Sequence, residues 1–378
     1  MRSRRATLGA FLALAVTFTA AACGDDADDG DTGTDTAAQS DSGNADAAEA
    51  IKPFLAAPTD IPVDTPLGKK PESGKTIIVT ENPQAVTRKT NDGLDVGAKL
   101  LGWTVKREPV GTGPEDPAKA FDAALDQKPD AILVSGNPAS TLRSQLDRAK
   151  REGVTVLLSD AGDPVGSDGS VHTIGLDDFD QTGLWGKMSA DYAMSKDAKH
   201  VLVVDLSLYP ILHAYSEAAA DRVKELGGTS TLIDAQITDL VAGKIPANVV
   251  SEIQRNPDID WVLLALGDMA TGLDAALKGA GFADKVSVGG ESASTANTAA
   301  LKSGAEDAWT GFAAEIHGMY RIDALARLFN GEELVTEYNE LPTQLLTPDN
   351  IGEAPLDDEG YYVGVPDYEK HFSELWKI

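Results

Sequence analysis

The segment KTIIVTENPQ, residues 75–84, decides the fold, because a short strand pattern in it runs directly into a polar loop. Its β-branched first half predicts a buried strand, and Asn82-Pro83 ends that strand before a helical apolar periodicity begins. Ligands of open α/β sheets bind beyond the carboxyl ends of the strands. Glu81, Asn82 and Gln84 are therefore candidate ligand contacts, and the alternative is an ordinary loop with solvated side chains.

After this first unit, strand and helix patterns alternate in two further series along the chain. One series covers residues 103–174, and a second covers residues 201–302. Alternation at this spacing predicts parallel sheets covered by helices on both faces. A chain of 378 residues exceeds an ordinary domain of roughly 100–200 residues, so we expect two α/β lobes. A last helix, near 313–329, is expected to return to the first lobe.

The composition excludes several classes of function. The net charge of −28 argues against nucleic acid as a partner, because phosphate binding draws on clustered Lys and Arg. The 5 histidines are scattered without metal-ligand spacing, and a single cysteine excludes a cysteine-based zinc site and an internal disulfide. We therefore expect no metal and no cofactor.

The N-terminus has the pattern of an export signal. Basic residues precede an apolar segment at 8–18 that is too short to span a membrane, and small residues lie before Cys23. Residues 1–22 resemble a bacterial lipoprotein signal peptide, which implies that Cys23 carries the lipid and anchors the protein to the membrane. Ala20 stands where such signals usually carry Leu, so plain secretion after cleavage near Ala22 is the alternative.

Residues 23–74 are predicted to form a tether. Residues 24–50 are acidic and contain no Lys or Arg, so they cannot bury enough apolar surface to become ordered. Residues 51–73 contain five prolines, which favour an extended and stiffer path. An anchored domain on such a tether could swing at a membrane surface.

A series of different short motifs follows the tether. They are Asp92-Gly93, Leu101-Gly102-Trp103, residues 129–134, residues 153–156 with Asp160, residues 175–178, residues 267–270 with Gly272, residues 288–291 and residues 328–332. In order and spacing the chain resembles the type I periplasmic binding proteins, the ribose-binding-like solute receptors of ABC importers. The sugar-sensing domain of a lac-repressor-type regulator has the same fold, but no DNA-binding helices are present and an export signal does not suit it.

The resemblance implies two Rossmann-like lobes with parallel sheets, joined by a three-crossing hinge. The N-terminal lobe would comprise 75–176 plus 311–340, and the C-terminal lobe 177–310 plus part of 341–378. Asp177 and Gly311 would mark two of the crossings. A solute that bridges both lobes would favour the closed state, because it binds that state better.

The positions of the family's ligand contacts give ten candidate residues. They are Glu81, Asn82, Gln84, Asn137, Asp160, Tyr209, Tyr215, Asp268, Glu291 and Trp309. The carboxylates suit sugar hydroxyls but would also suit a cationic solute, and the tyrosines could stack on a ring. The family carries an Asp-Arg pair after its fourth strand, and the corresponding residues here are Asp160-Ala161. A guanidinium is therefore missing beside Asp160, and the identity of the solute stays open.

We therefore expect an extracytoplasmic, lipid-anchored, monomeric receptor that delivers a small polar solute, a sugar or polyol, to an ABC permease. A lipoprotein that presents its bound solute to a signalling partner shares every sequence feature. A secreted enzyme that uses Glu81 and Asp160 on glycosides is the third reading. The chain has no Gly-x-Ser-x-Gly motif and no phosphate-binding loop, so we expect no catalysis.

Overall fold

The computed structural model describes residues 44–163, 166–174 and 179–378. The predicted signal peptide, the candidate lipidation site Cys23 and the predicted crossing at Asp177 lie outside these residues. The described chain contains two six-stranded sheets, each flanked by helices. The prediction of two α/β lobes with mainly parallel sheets is confirmed.

The first lobe has the strand order β2-β1-β3-β4-β6-β5, in which only β5 and β6 pair antiparallel. Its strands are β1 (Thr76–Glu81), β2 (Thr104–Pro109), β3 (Ala131–Ser135), β4 (Thr155–Ser159), β5 (Gly166–Asp168) and β6 (Val171–Ile174). Helix α1 (44–50) precedes the sheet, and α2 (Ala85–Leu101), α3 (Asp116–Asp126) and α4 (Arg143–Glu152) connect its strands. Alternate β1 residues pack into different apolar clusters, Ile77 and Val79 in one and Ile78 in the other, so both sheet faces are covered.

The second lobe has the strand order β12-β11-β10-β9-β7-β8, in which only β12 is antiparallel to its neighbour. Its strands are β7 (His200–Asp205), β8 (Thr229–Asp234), β9 (Trp261–Leu264), β10 (Ser287–Gly290), β11 (Ala308–Phe312) and β12 (Thr343–Leu346). Its helices are α5 (Asp180–Ser195), α6 (Pro210–Glu225), α7 (Ile237–Val241), α8 (Ile245–Arg255), α9 (Leu273–Ala280) and α10 (Thr295–Ser303). Short 3₁₀ turns occupy Lys52–Phe54, Ala139–Thr141, Gly267–Ala270 and Thr336–Asn339.

Helix α11 (Ala314–Asn330) packs against α2 of the first lobe. Glycines allow the two backbones to approach closely. A Cβ at Gly93 would lie 2.1 Å from the Glu315 carbonyl oxygen, and one at Gly318 would lie 2.1 Å from that of Thr90. This contact fixes the beginning of α11 beside the carboxyl ends of the first sheet, where the candidate site lies.

Residues 44–74 form a strap that packs on both lobes, so the predicted solvated tether is wrong from residue 44 onward. Ile51, Val63 and Leu67 are buried, which explains the order in a segment rich in proline and acidic residues. The strap first contacts the second lobe, where the Leu55 carbonyl accepts a hydrogen bond from Gln344 Nε2 at 3.1 Å. After the largely exposed stretch 56–60 it contacts the first lobe.

The C-terminal segment returns to the first lobe as α12 (Tyr368–Leu375). Trp376 Nε1 donates to Asp323 Oδ1 of α11 at 2.7 Å, and the Leu67 amide of the strap donates to the Leu375 carbonyl at 2.9 Å. The described chain therefore passes between the lobes at 56–60 and 347–367 as well as at 312–314 and 331–342. The predicted three-crossing hinge did not include the connections at 56–60 and 347–367.

No helix within the described ranges has both the length and the apolar character needed to cross a membrane.

Candidate functional site

A cavity of about 80 Å³ lies between the two lobes, at the carboxyl ends of both sheets. This is the position at which α/β sheets bind ligands. The cavity is lined by Asn82, Gln84, Val86, Thr87, Thr90, Ser135, Gly136, Asp160, Tyr209, Ile211, Leu212, Leu266, Glu291, Ser292, Phe312, His317 and Arg321. Both lobes contribute residues, so a solute held there would contact each lobe.

The first-lobe wall is built from the residues that follow β1, β3 and β4, which are neighbours in the sheet. Asn82 Nδ2 donates to the Ser135 carbonyl at 3.2 Å, and Ser135 Oγ donates to Asp160 Oδ2 at 2.7 Å. Asp160 adopts a left-handed backbone with φ of 60°, which is uncommon for a non-glycine residue and frequent at functional sites. Hydrogen bonds thus join the three strand ends into one polar wall.

Helix α11 supplies the positive charge of this wall. Arg321 Nη2 donates to Asp160 Oδ2 at 2.5 Å, and His317 Nε2 lies 3.2 Å from Asp160 Oδ1 without hydrogen-bond alignment. His317 and Arg321 are four residues apart, so they share one face of the helix. All three side chains are buried.

The protonation states follow from burial and from this pairing. Burial opposes ionisation of Asp160, but the Arg321 guanidinium and the hydrogen bond from Ser135 favour it and hold the pKa of that carboxyl well below its usual range. Burial lowers the pKa of His317 and outweighs the opposing effect of Asp160. The wall therefore carries an ionised carboxylate, a guanidinium that compensates it and a neutral imidazole.

The second-lobe wall contains one acid. Glu291 follows β10, is 2% exposed, and accepts a hydrogen bond at Oε1 from Ser292 Oγ at 3.1 Å. Burial raises the pKa of Glu291 to about 8, so its carboxyl group is mostly protonated at neutral pH. The charges of Asp160 and Arg321 cancel and the Glu291 carboxyl group is neutral, so the cavity carries no net charge.

Several polar atoms of the cavity lining retain hydrogen-bonding capacity. Asp160 Oδ1, Glu291 Oε2, Arg321 Nε and Gln84 Oε1 have no hydrogen-bond partner among the residues that the structure describes. Buried polar atoms are normally paired with protein, water or ligand. These four atoms include acceptors and donors, which suits a solute whose groups both donate and accept, as hydroxyls do.

The lobes contact each other around the cavity. The Ala85 amide of the first lobe donates to Asp268 Oδ2 of the second at 2.8 Å. Gln84 of the first lobe and Tyr209 of the second both line the cavity, and a Cβ at Gly136 would lie 3.0 Å from Tyr209 Cδ1. Glycine at position 136, with φ of 72°, thus lets the Tyr209 ring lie against the first lobe.

Five of the ten predicted site residues line the cavity, namely Asn82, Gln84, Asp160, Tyr209 and Glu291. Asn137 lines a neighbouring groove and donates from Nδ2 to the Ser135 carbonyl at 2.9 Å. Asp268 makes the contact between the lobes instead of lining the cavity. These two residues border the site.

The other three predicted residues do not line the cavity, which corrects the expectation for them. Glu81 accepts hydrogen bonds from Asn91 at 3.0 Å and Arg107 at 3.1 Å. Tyr215 and Trp309 are fully buried, and Trp309 Nε1 donates to Glu306 at 2.7 Å. Strand position placed Glu81 and Trp309 near the site, but their side chains turn to other partners, and Tyr215 lies within α6 and packs in the apolar core.

The sequence reasoning missed His317, Arg321, Phe312 and most of the apolar lining. One signal for the first two was present in HGMYRIDALARLF, residues 317–329, where His317 and Arg321 lie one turn apart in a helix with many apolar residues. A buried guanidinium requires a partner. The partner could not be identified without knowing which strand end the helix meets.

The described residues contain no group of three or more His, Cys, Asp or Glu side chains that could hold a metal ion.

Two sheets of this topology with a cavity between them define a bilobed binding protein. Residues 76–333 match the periplasmic binding protein domain family, and the chain belongs to this family. A periplasmic binding protein domain implies an extracytoplasmic location and a role in binding solutes. No match is found among curated proteins.

Solved structures share the fold at low sequence identity. An ABC transporter solute-binding protein from Agrobacterium vitis bound with α-D-tagatopyranose has a TM-score of 0.65 at 19% identity, over 77% of this chain and 99% of that one. A 5-methylthioribose transporter solute-binding protein from Thermotoga lettingae has a TM-score of 0.64 at 19% identity, over 82% and 93%. A periplasmic ribose ABC transporter protein from Conexibacter woesei has a TM-score of 0.61 at 20% identity, over 76% and 96%.

Proposed function

We propose that this protein captures a small neutral polar solute, a sugar or polyol, in the cavity between its lobes and delivers it to an ABC permease. The observation that carries the proposal is the charge balance of the cavity. Arg321 compensates Asp160, and Glu291 is protonated at neutral pH. A neutral solute with hydroxyl groups suits this lining.

A cationic solute is disfavoured by the same balance. Three carboxylates at strand ends suggested it, but Glu81 is paired with Arg107 away from the cavity. A cation would have to displace Arg321 from Asp160 or ionise the buried Glu291, and both changes cost free energy. The similar solved structures with a tagatopyranose and with 5-methylthioribose support the neutral assignment.

The membrane anchor is part of this proposal. The sequence pattern before Cys23 supports lipidation there, and the strap then leads the chain onto the second lobe at α1. Metabolic labelling with a palmitate analogue tests the anchor, with Cys23→Ser as the control that loses the label. Equal labelling of both proteins, or of neither, would contradict it. We propose a monomer in the membrane-anchored state.

A thermal-shift screen tests the proposed solute class. The panel contains pentoses, hexoses and polyols on one side and polyamines and amino acids on the other. A neutral solute that binds should raise the melting temperature, because it stabilises only the folded state. The shift should be lost in Asp160→Asn and kept in Glu353→Gln, which changes an exposed acid outside the cavity. A response confined to cationic solutes, or turnover of a glycoside, would contradict the proposal.

A further inference from the structure

The apolar part of the cavity lining is concentrated on two neighbouring strands. Ile211 and Leu212 follow β7 at the beginning of α6, Leu266 follows β9, and β7 pairs directly with β9. Val86 of α2 lines the same cavity from the first lobe. Leu212 is 8% exposed and Leu266 is 2% exposed, so little water reaches these side chains. This gives the cavity an apolar wall, defined here as Val86, Ile211, Leu212 and Leu266.

The ionisable groups are concentrated elsewhere in the cavity, although the polar Gln84 and Tyr209 precede the wall residues Val86 and Ile211 by two positions. The pair of Asp160 and Arg321 lies beside His317, whose ring centroid is 5.5 Å from that of Phe312 at the end of β11. Glu291 follows β10, which lies between β11 and β9. The ionisable side chains therefore cluster toward β10 and β11, whereas the apolar wall lies toward β7 and β9. The two ends of the cavity differ in chemistry.

We propose that the solute is an amphiphilic neutral polyol, with hydroxyls at one end and a deoxygenated or alkylated carbon at the other. This proposal rests on the proposed function and specifies its substrate class. The hydroxyl-bearing end would contact Asp160, Arg321 and Glu291, whose free polar atoms can donate and accept. The methyl, methylene or thioether end would pack against the apolar wall.

The physical reason is that the four side chains of the apolar wall offer no hydrogen bond to a hydroxyl. A hydroxyl placed there loses its bonds to water without replacement, whereas a methyl group gains from burial. An apolar pocket discriminates against an added hydroxyl by roughly 100-fold at best. We therefore expect the deoxygenated member of a matched pair to bind about tenfold to 100-fold more tightly than its hydroxylated counterpart.

Isothermal titration calorimetry on the full chain with matched sugar pairs tests the proposal. The pairs are L-fucose with L-galactose and L-rhamnose with L-mannose, which share the pyranose ring and differ only at C6. At least one pair should show the expected preference for the deoxy member. Equal or tighter binding of the hydroxylated member in every pair that binds would overturn this inference and leave the proposed function standing. Binding of another neutral sugar or polyol but of no member of the pairs would also overturn only this inference, whereas binding confined to cationic solutes would overturn both.

A substitution in the apolar wall tests whether the wall itself causes the preference for the deoxy sugar. Ile211→Thr places a hydroxyl on a half-buried residue of the wall, so the ratio of the two affinities should fall about tenfold. Leu208→Thr is the matched control, because Leu208 is 58% exposed and does not line the cavity. The ratio is measured within one folded variant, verified by circular dichroism. An unchanged ratio in Ile211→Thr would contradict the assignment of the wall.

Discussion

Arg321 Nη2 lies 2.5 Å from Asp160 Oδ2, although the two residues are 161 positions apart in the sequence. The guanidinium that is missing beside Asp160, at Ala161, is thus supplied by α11. Both residues are almost fully buried, at 3% and 6% exposed. The positive charge of Arg321 cancels the negative charge of Asp160 in the cavity wall.

Breaking this pair should affect both stability and binding. Arg321→Met leaves Asp160 buried without its positive partner, which should lower the free energy of unfolding by about 3–5 kcal/mol. Binding of the solute should be lost as well. Urea unfolding and calorimetry measure the two effects.

The double variant Asp160→Asn with Arg321→Met distinguishes stability from recognition. It removes both charges, so it should recover much of the stability that the single variant loses, without recovering binding. If Arg321→Met unfolded at the wild-type urea concentration, the pair would not be the buried ion pair described above.

The sequence could predict the two lobes because Ile77 to Val79 and the later strands carry their own local pattern. It could also predict Asn82, Gln84, Asp160 and Glu291, because each follows a strand of a parallel sheet. It could not predict the partner of Asp160. That partner depends on the return of α11 across the hinge, which no local pattern specifies.

The strap shows a second limit of sequence reasoning. Composition correctly describes 51–73 as proline-rich, but burial depends on single apolar residues such as Val63 and Leu67. Their receiving surface is formed by α11 and α12, far along the chain. Average composition does not show such a match.

Glu291 should make stability depend on pH. The unfolded chain releases this proton near its ordinary pKa, whereas the folded chain holds it up to about pH 8. The folded state binds more protons between these values, so this residue lowers the free energy of unfolding as pH rises from about 5 to about 8. Glu291→Gln removes this pH dependence. The melting temperature of the variant, relative to wild type, should therefore increase from about pH 5 to about pH 8.

Glu353→Gln is the control, because Glu353 is exposed. Its difference in melting temperature from wild type should stay constant with pH. A constant difference for Glu291→Gln as well would show that the folded state does not hold the Glu291 proton.

The contact between the Ala85 amide and Asp268 should strengthen solute binding by stabilising the closed lobes. Asp268→Ala removes a hydrogen bond to a charged group, and we expect the affinity to fall about tenfold. Asp274→Ala is the matched control, since Asp274 pairs with Lys278 within α9 of the same lobe. Calorimetry gives the affinities, and equal values for both variants would contradict a role for this contact in closure.

The strap should contribute to global stability. Leu67 is fully buried against the first lobe, and Leu67→Ala should lower the free energy of unfolding by about 2–5 kcal/mol. Leu208→Ala, at an exposed position, should change it little. Urea unfolding compares the two. Equal midpoints would mean that the segment behaves as a free tether.

The most direct test of the central claim, a neutral solute in a cavity without net charge, is a calorimetric titration of the full chain at neutral pH and two ionic strengths. One neutral sugar or polyol per chain should bind saturably, with an affinity that ionic strength leaves unchanged. Binding only by cationic solutes, with an affinity that falls as salt is added, would contradict it.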